Sequence, residues 1–287
     1  MKKKKEWDSY LFLLPALIIY LSVIIFPTIY SIYISLHKGT GIGQMDFVGL
    51  DNYKALFKDS VFLLALKNNL LWIVVSVILT TCISLMFALL LNQKFKGRTF
   101  FRAFFYFPCV VAPIAVAIIW KWIYNPQFGF FNEFFKMLGI DYKQTWLAGN
   151  TSAFWALVVA ALWQGIGQPM ILFLAGLQSV SADVLEAASI DGANSFVKFF
   201  RVTVPMMKET FVTVISTLLI SAMKVFDVVK GLTDGGPNNA TQMLSTYMYS
   251  QTFAYNNVGY GTAIAVFMVI MMLVVIVPYI SFTAREN

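Results

Sequence analysis

The chain has 287 residues, of which 59% are hydrophobic and only 12% are charged, and its mean hydropathy is +0.73. Soluble domains carry roughly a quarter charged residues, so this composition excludes a water-facing globular domain and indicates a multi-pass membrane protein. The net charge of +7 does not indicate nucleic-acid binding, because the basic residues cluster in short segments between apolar runs, as topology signals do.

Six apolar runs are long enough to cross the membrane, which takes a helix of about 20 residues. Backbone groups find no water in lipid, so these runs must be helical. The first follows four lysines and is too long for a cleaved signal peptide, which predicts an uncleaved first helix. The predicted fold class is an all-α membrane protein with six transmembrane helices, at residues 9–36, 68–91, 103–124, 153–177, 210–230 and 261–282.

The basic residues predict the orientation of these helices. Segment 93–102 contains four basic residues and no acidic residue, and short loops rich in Lys and Arg stay in the cytoplasm. We therefore expect both termini to lie in the cytoplasm. The predicted inner segments are 93–102 and 178–209, and the predicted outer loops are 37–67, 125–152 and 231–260.

Catalytic, metal and cofactor sites are not expected in this chain. His37 is the only histidine, and Cys82 and Cys109 lie in apolar runs where we expect them to be buried. A lone imidazole forms neither a metal site nor a catalytic cluster, which argues against a membrane-embedded enzyme. No Gly-x-x-x-x-Gly-Lys-Ser/Thr loop is present, so the chain is not expected to bind ATP itself.

The inner segment 178–209 is longer than a turn between two membrane helices needs. Asp183 is a suitable N-cap, and Glu186 three residues later completes a capping box. Residues up to Asp191 favour a helix, and Gly192 can adopt the left-handed conformation that ends it. The pattern predicts a short helix followed by a glycine corner.

A second, amphipathic helix is predicted after this corner. Asn194 or Ser195 can cap it, phenylalanines lie on one side, and Pro205 is expected to end it. The residues alone leave two interpretations open. The hairpin either lies on lipid headgroups or seats in a groove of a cytoplasmic partner.

The pattern Glu186-Ala187-Ala188, Asp191-Gly192-Ala193 and Pro205 resembles the EAA loop of permease subunits of bacterial ABC importers. Further similar motifs occur in the same order along most of the chain. The ordered set resembles the carbohydrate-uptake branch of that family, in its first permease position. These additional motifs are at 47–53, 95–98, 120–126, 173–178, 224–227 and 233–237.

This resemblance implies a type I importer permease fold in which the hairpin is a coupling helix docked on a separate ATPase. ATP would be bound by a dimer of that ATPase. The other implied partners are a second homologous permease, an extracellular solute-binding protein, membrane lipid and a sugar substrate. Residues 1–67 and 284–287 would flank a transmembrane domain at 68–283. The implied coupling residues are Asp183, Glu186, Ala187, Ala188, Asp191, Gly192, Ala193 and Pro205.

Polar residues inside the fourth run are candidates for the substrate path. Gln164 and Gln168 are four residues apart and share a helix face beside Trp163. Amides and an aromatic plane suit a sugar, and the resemblance favours that role for this helix. Ser221 in the fifth run is a further candidate. The alternative for the two glutamines is hydrogen bonding between helices.

The remaining polar and aromatic residues in the runs have simpler interpretations. Lys224 and Asp227 are three residues apart and are expected to pair on the surface of the fifth helix. Four tryptophans are expected in interfacial belts: Trp72, Trp120, Trp122 and Trp155.

A secondary transporter for a small polar solute is the alternative function. Such a protein should show charges at mid-membrane and paired broken helices in two internal halves, and the sequence shows neither signal.

Overall fold

The computed structural model describes residues 2–41, 43–140 and 144–285. Within these ranges the regular secondary structure is helical except for one small antiparallel ribbon, in which β1 (His37–Lys38) pairs with β2 (Asp46–Phe47). Three short π-helical segments, at Leu21–Ile25, Phe199–Thr203 and Ser250–Ala254, continue neighbouring helices. The α-helices are α1 (Lys2–Tyr20), α2 (Phe26–Ser35), α3 (Asp51–Leu56), α4 (Ser60–Asn92), α5 (Arg98–Val110), α6 (Pro113–Ile123), α7 (Phe130–Met137), α8 (Asn150–Gly165), α9 (Gly167–Ser179), α10 (Ala182–Ile190), α11 (Ser195–Lys198), α12 (Val204–Met206), α13 (Lys208–Met223), α14 (Asp227–Leu232), α15 (Leu244–Tyr249) and α16 (Val258–Arg285).

Three helical stretches are individually long and apolar enough to span a membrane: Leu11–Ser35, Ser60–Asn92 and Val258–Thr283. Three further spans are bent pairs. The third span, α5 with α6, is bent by 101°, and the fourth span, α8 with α9, is bent by 47°. The fifth span, α13, meets the preceding stretch Ser195–Met206 at 71°. The predicted number of six is reached when each bent pair counts as one span.

The described residues divide into two compact units, and one of them combines residues of 1–63 with 247–270. Asp59 accepts hydrogen bonds from the hydroxyls of Tyr247 (2.5 Å) and Tyr260 (2.7 Å). Its other oxygen accepts from the backbone N–H groups of Val61 and Phe62, which caps α4. One carboxylate therefore joins three helices of this unit.

The other unit combines residues of 64–246 with 271–285 and contains two apolar cores. The larger core packs α4, α6, α8 and α14 around Leu157 and Val229, which are fully buried. The smaller core packs α4, α9 and α13 around Phe173 and Met170.

The histidine and the two cysteines lie in different environments in the structure. His37 is buried, its Nδ1 lies 2.8 Å from the carbonyl oxygen of Tyr33, and it begins β1. Cys82 is exposed on α4, so the expectation of a buried thiol is wrong there, whereas Cys109 is partly buried. An apolar side chain on a lipid-facing helix surface has no need of burial in protein.

Candidate functional site

Three broken helices meet at one cavity of about 610 Å³ in the second unit. Cys109 and Pro113 line it from the bend in the third span, and Gly165 and Gln168 line it from the bend in the fourth. The segment from Lys224 to Asp227, where the fifth span stops being helical, lines it as well. Irregular backbone at membrane depth is tolerated where it lines a cavity or is covered by protein, so the three breaks mark this cavity as a functional candidate.

The first two breaks have local causes in the sequence. Ala112 is extended (φ −56°, ψ 134°) and Pro113 begins α6, which forces the turn between α5 and α6. Pro169 has no N–H, so it cannot donate to the carbonyl of Gly165, and α8 ends there. A proline inside a membrane helix predicts a kink, but it does not give the angles, which are 101° and 47° here.

The third break has no proline. The predicted helix at 210–230 is wrong at its end, because α13 ends at Met223 and α14 begins at Asp227. Phe226 adopts a non-helical conformation (φ −138°, ψ −62°), and the carbonyl of Val225 accepts a hydrogen bond from the hydroxyl of Ser245. A donor twenty residues along the chain therefore takes the freed carbonyl, which local sequence does not indicate.

The structure separates the four predicted substrate residues. Gln164, Gln168 and Ser221 line the cavity, but Trp163 is not among its described lining residues. The Trp163 ring instead packs edge-on against Trp120, with centroids 6.0 Å apart. The bend at Ile166 turns the helix between the two glutamines without removing either from the cavity.

Several lining residues were not predicted. Trp72 lines the cavity and is buried, so its assignment to an interfacial belt is wrong, and buried Trp120 is likewise a core residue. Trp122 is exposed, as a belt position would require. Ser76 and Thr80 follow Trp72 on one face of α4. Their spacing of four residues was the signal that could have identified this face.

Lys224 and Asp227 give the cavity one positive and one negative charge. The expected ion pair on a common helix surface is wrong, because the helix is interrupted between them and no salt bridge joins them among the described residues. Both residues are exposed and line the cavity. The lining is mostly apolar, with a smaller set of polar side chains whose two charges balance.

The predicted hairpin forms at 181–206, and its first helix is α10. Its N-cap is Ser181, whose hydroxyl accepts from the N–H of Asp183 at 3.2 Å, so the assignment of Asp183 as the cap is wrong. Asp183 instead lies in the first turn, where its negative charge still suits the positive end of the helix. Glu186 is exposed and forms no ion pair within the described residues.

The glycine corner is confirmed. Gly192 has φ +79°, in the left-handed region that favours glycine. The N–H of Ala193 donates to the carbonyl of Ala188, and that of Gly192 donates to Ser189. This is the double hydrogen-bond pattern of a Schellman helix end.

The second helix of the hairpin ends close to its predicted end. Asn194 caps it, with Oδ1 2.9 Å from the N–H of Val197. It continues through the π-helical segment and α12 to Met206, one residue beyond Pro205, which was expected to end it. The chain then turns at Met207, which is buried.

The hairpin presents an exposed surface with apolar side chains. No residue of α10 is buried. Ile190, Phe196 and Phe200 are 82%, 71% and 52% exposed, and Lys198 Nζ donates to the Ser189 hydroxyl across the corner at 3.0 Å. The eight predicted coupling residues all lie on this hairpin, and none of them is buried.

Residues 80–285 match the protein family described as the binding-protein-dependent transport system inner membrane component. The chain is 36% identical to the probable ABC transporter permease protein PH1215 of Pyrococcus horikoshii, over 96% of this chain and 95% of the relative. It is 35% identical to the multiple sugar-binding transport system permease protein MsmF of Streptococcus mutans (98% and 96% covered). It is 36% identical to the trehalose/maltose transport system permease protein MalF of Thermococcus litoralis (98% and 95% covered).

Among solved structures, the fold is similar to a chain of a bacterial ABC transporter involved in the import of the acidic polysaccharide alginate. The TM-score is 0.86 at 23% identity, with 98% of this chain and 96% of that chain covered. The predicted type I permease fold is confirmed. Family membership also confirms that the chain is a multi-pass membrane translocation subunit and not an enzyme. The alternative hypothesis of a secondary transporter is therefore dropped. The chain belongs to the inner membrane components of binding-protein-dependent transport systems and is a permease subunit of an ABC transporter.

Proposed function

We propose that the chain forms one half of the translocation pathway of a sugar importer, together with a second homologous permease. The observation that carries this proposal is the convergence on one cavity of the bends in the third and fourth spans and the end of α13. Discontinuous helices supply polar backbone and side chains for solutes at membrane depth. Two of the relatives are named for sugars, a multiple-sugar system and a trehalose/maltose system.

The lining of the cavity supports a neutral, hydroxyl-rich solute. Gln168 and Ser221 offer donors and acceptors, Trp72 offers an apolar ring, and the charges of Lys224 and Asp227 balance. Small-molecule pockets have volumes of about 300–1,000 Å³, and 610 Å³ lies inside this range. An acidic or a basic solute would find no excess of opposite charge here.

We propose that the hairpin docks on a separate ATPase dimer, which binds the ATP. Exposed apolar side chains beside a small-residue corner suit a knob that seats in a groove. We place the hairpin and both termini in the cytoplasm, following the basic segment 93–102. An extracellular solute-binding protein would deliver the sugar to the opposite face.

Reconstitution tests both parts of this proposal. The complete complex in proteoliposomes, with binding protein and ATP, is expected to take up labelled mono- or oligosaccharides only when the ATPase is present. Glu186→Lys places a positive charge on α10 and should lower ATPase co-purification and uptake by about tenfold or more, which corresponds to about 1.4 kcal/mol of binding.

Glu133→Lys is the matched control, because Glu133 is also exposed but lies on α7. It should leave co-purification and uptake unchanged. Sugar uptake without the ATPase, or normal ATPase binding by the Glu186→Lys complex, would contradict the proposal.

A further inference from the structure

The bend in the third span leaves one carbonyl without its helical donor. In a continuous helix the N–H of Ala115 would donate to the carbonyl of Val111. Here it donates to Ala112 instead, at 2.9 Å, because the extended Ala112 shifts the start of α6. The carbonyl of Val111 therefore needs a donor from another helix.

Gln164 supplies that donor. Its Nε2 lies 3.0 Å from the carbonyl oxygen of Val111, 53 residues away in the sequence. Gln168 differs from it, because the side chain of Gln168 is exposed and forms no hydrogen bond among the described residues. The two glutamines line the same cavity, but only Gln168 has its amide free for a solute.

The fourth span is held at its own bend, close to Gln164. Ser84 on α4 donates to the carbonyl of Ile166 at 2.9 Å. Gly167 packs directly on α5, because a Cβ at this position would lie 2.9 Å from the carbonyl oxygen of Phe105. The bend of the fourth span is thus fixed against α4 and α5, and Gln164 extends this fixed point to the bend of the third span.

We propose that Gln164 is a positioning residue that fixes the bend of the third span and so sets the distance between two walls of the cavity, and that it does not bind the sugar. This inference rests on the proposed function, since it assumes that the cavity lies on the transport path. The Gln164–Val111 hydrogen bond makes no direct contribution to sugar recognition. Its loss should slow the movement of every sugar by the same factor.

Uptake by the reconstituted complex tests this role, with maltose and trehalose as probes at saturating binding protein. Gln164→Leu and Gln164→Glu remove the N–H donor and are expected to lower both rates about tenfold, leaving their ratio unchanged. Gln168→Leu is the matched control at the free amide, and it should change the ratio of the two rates.

Uptake by the Gln164→Glu complex is also measured as a function of pH. A carboxylate cannot donate to Val111, but a protonated carboxyl can, so its uptake relative to the wild type should recover as the pH falls towards 5. The other titratable groups that line the cavity are Cys109, Lys224 and Asp227. The wild type contains the same three groups, so the comparison with the wild type at each pH accounts for their titration. Gln164→Leu should show no recovery.

The geometry of the bend gives a readout that needs no transport. Spin labels replace exposed Phe100 and Trp122, with Cys82 and Cys109 changed to Ser and Ala. A rise of about 1.5 Å per residue gives helix arms of about 16 and 15 Å, and the bend of 101° then places the two Cα atoms about 20 Å apart. A straight helix would place them about 33 Å apart.

Gln164→Leu is expected to broaden this distance distribution towards longer values, and Gln168→Leu should leave it unchanged. The inference is overturned if the Gln164 variants keep the wild-type distance, or if they alter the ratio of the two sugar rates as Gln168→Leu does. If the wild-type complex moves neither sugar, the proposed function fails for these sugars, while the label distances still decide whether Gln164 fixes the bend.

Discussion

Asp59→Ala is predicted to destabilise the unit formed by residues of 1–63 and 247–270. The carboxylate accepts four hydrogen bonds, two from tyrosine hydroxyls and two from the N–H groups that begin α4. Loss of an N-cap costs about 1 kcal/mol. Each tyrosine bond contributes about 1 kcal/mol, at the lower end for a charged acceptor because the site is partly exposed. The expected loss is about 3 kcal/mol.

Thermal unfolding of the purified complex measures this loss. For a chain of this size about 1 kcal/mol corresponds to roughly 2–4 °C, so the midpoint should fall by about 6–12 °C. Asp51→Ala is the matched control, because Asp51 pairs with Lys54 at 2.8 Å but both side chains are about 70% exposed. An exposed ion pair of this kind stabilises little, and the control should show no shift.

The pH dependence follows from the pKa of Asp59. Burial alone would raise this pKa, but the hydrogen bonds from Tyr247, Tyr260 and the two N–H groups hold it below its usual value of 3.8. A lowered pKa stabilises the folded state above about pH 4, and this contribution disappears as the pH falls through the folded-state pKa. The midpoint difference between wild type and Asp59→Ala should therefore be constant from pH 6 to 8 and smaller at pH 3.

Burial and the neighbouring Asp59 carboxylate raise the pKa of Tyr247, so its hydroxyl stays a donor throughout this range. The reasoning is refuted if Asp59→Ala unfolds within 2 °C of the wild type, or if Asp51→Ala is equally destabilising. A difference that grows towards pH 3 would also contradict it.

Two further predictions concern single residues in the other unit. Gly192→Ala makes no steric contact but forces a left-handed conformation on an L-residue, which costs about 1–2 kcal/mol. Limited proteolysis should therefore cut the hairpin faster. Asn132→Ala removes the buried side chain that bonds the carbonyls of Pro126 and Gln144 and the Trp146 ring, so deuterium exchange should rise at 144–147 and stability should fall by about 2–3 kcal/mol. Unchanged exchange at 144–147 would refute the second, and an unchanged cleavage rate would refute the first.

Local features of the fold were well predicted from the sequence. Runs of apolar residues specify membrane helices because unpaired backbone groups are too costly in lipid. The glycine corner at Gly192 and the cap at Asn194 formed as predicted, because they depend on neighbours within a few residues. The cap at Ser181 was misplaced by two positions, since Ser and Asp are both strong N-caps.

The substrate residues were predicted less well. Gln164 and Gln168 have the same side chain and lie on one helix face. The side chain of Gln164 nevertheless donates to the carbonyl of Val111, whereas that of Gln168 forms no hydrogen bond among the described residues. Trp72, predicted for an interfacial belt, lines the cavity, and Trp163, predicted for the substrate path, packs on Trp120. Partners on other helices decide these roles, and their positions depend on bend angles.

The sequence alone determined that this protein is a helical membrane protein with a hairpin outside its spans, because hydropathy and helix capping act over short stretches of chain. The tertiary structure alone decided where the spans break and which carbonyls and carboxylates find donors. Asp59 bonds to tyrosines 188 and 201 residues away. No periodicity of a single helix encodes such contacts, since they exist only after the helices have packed.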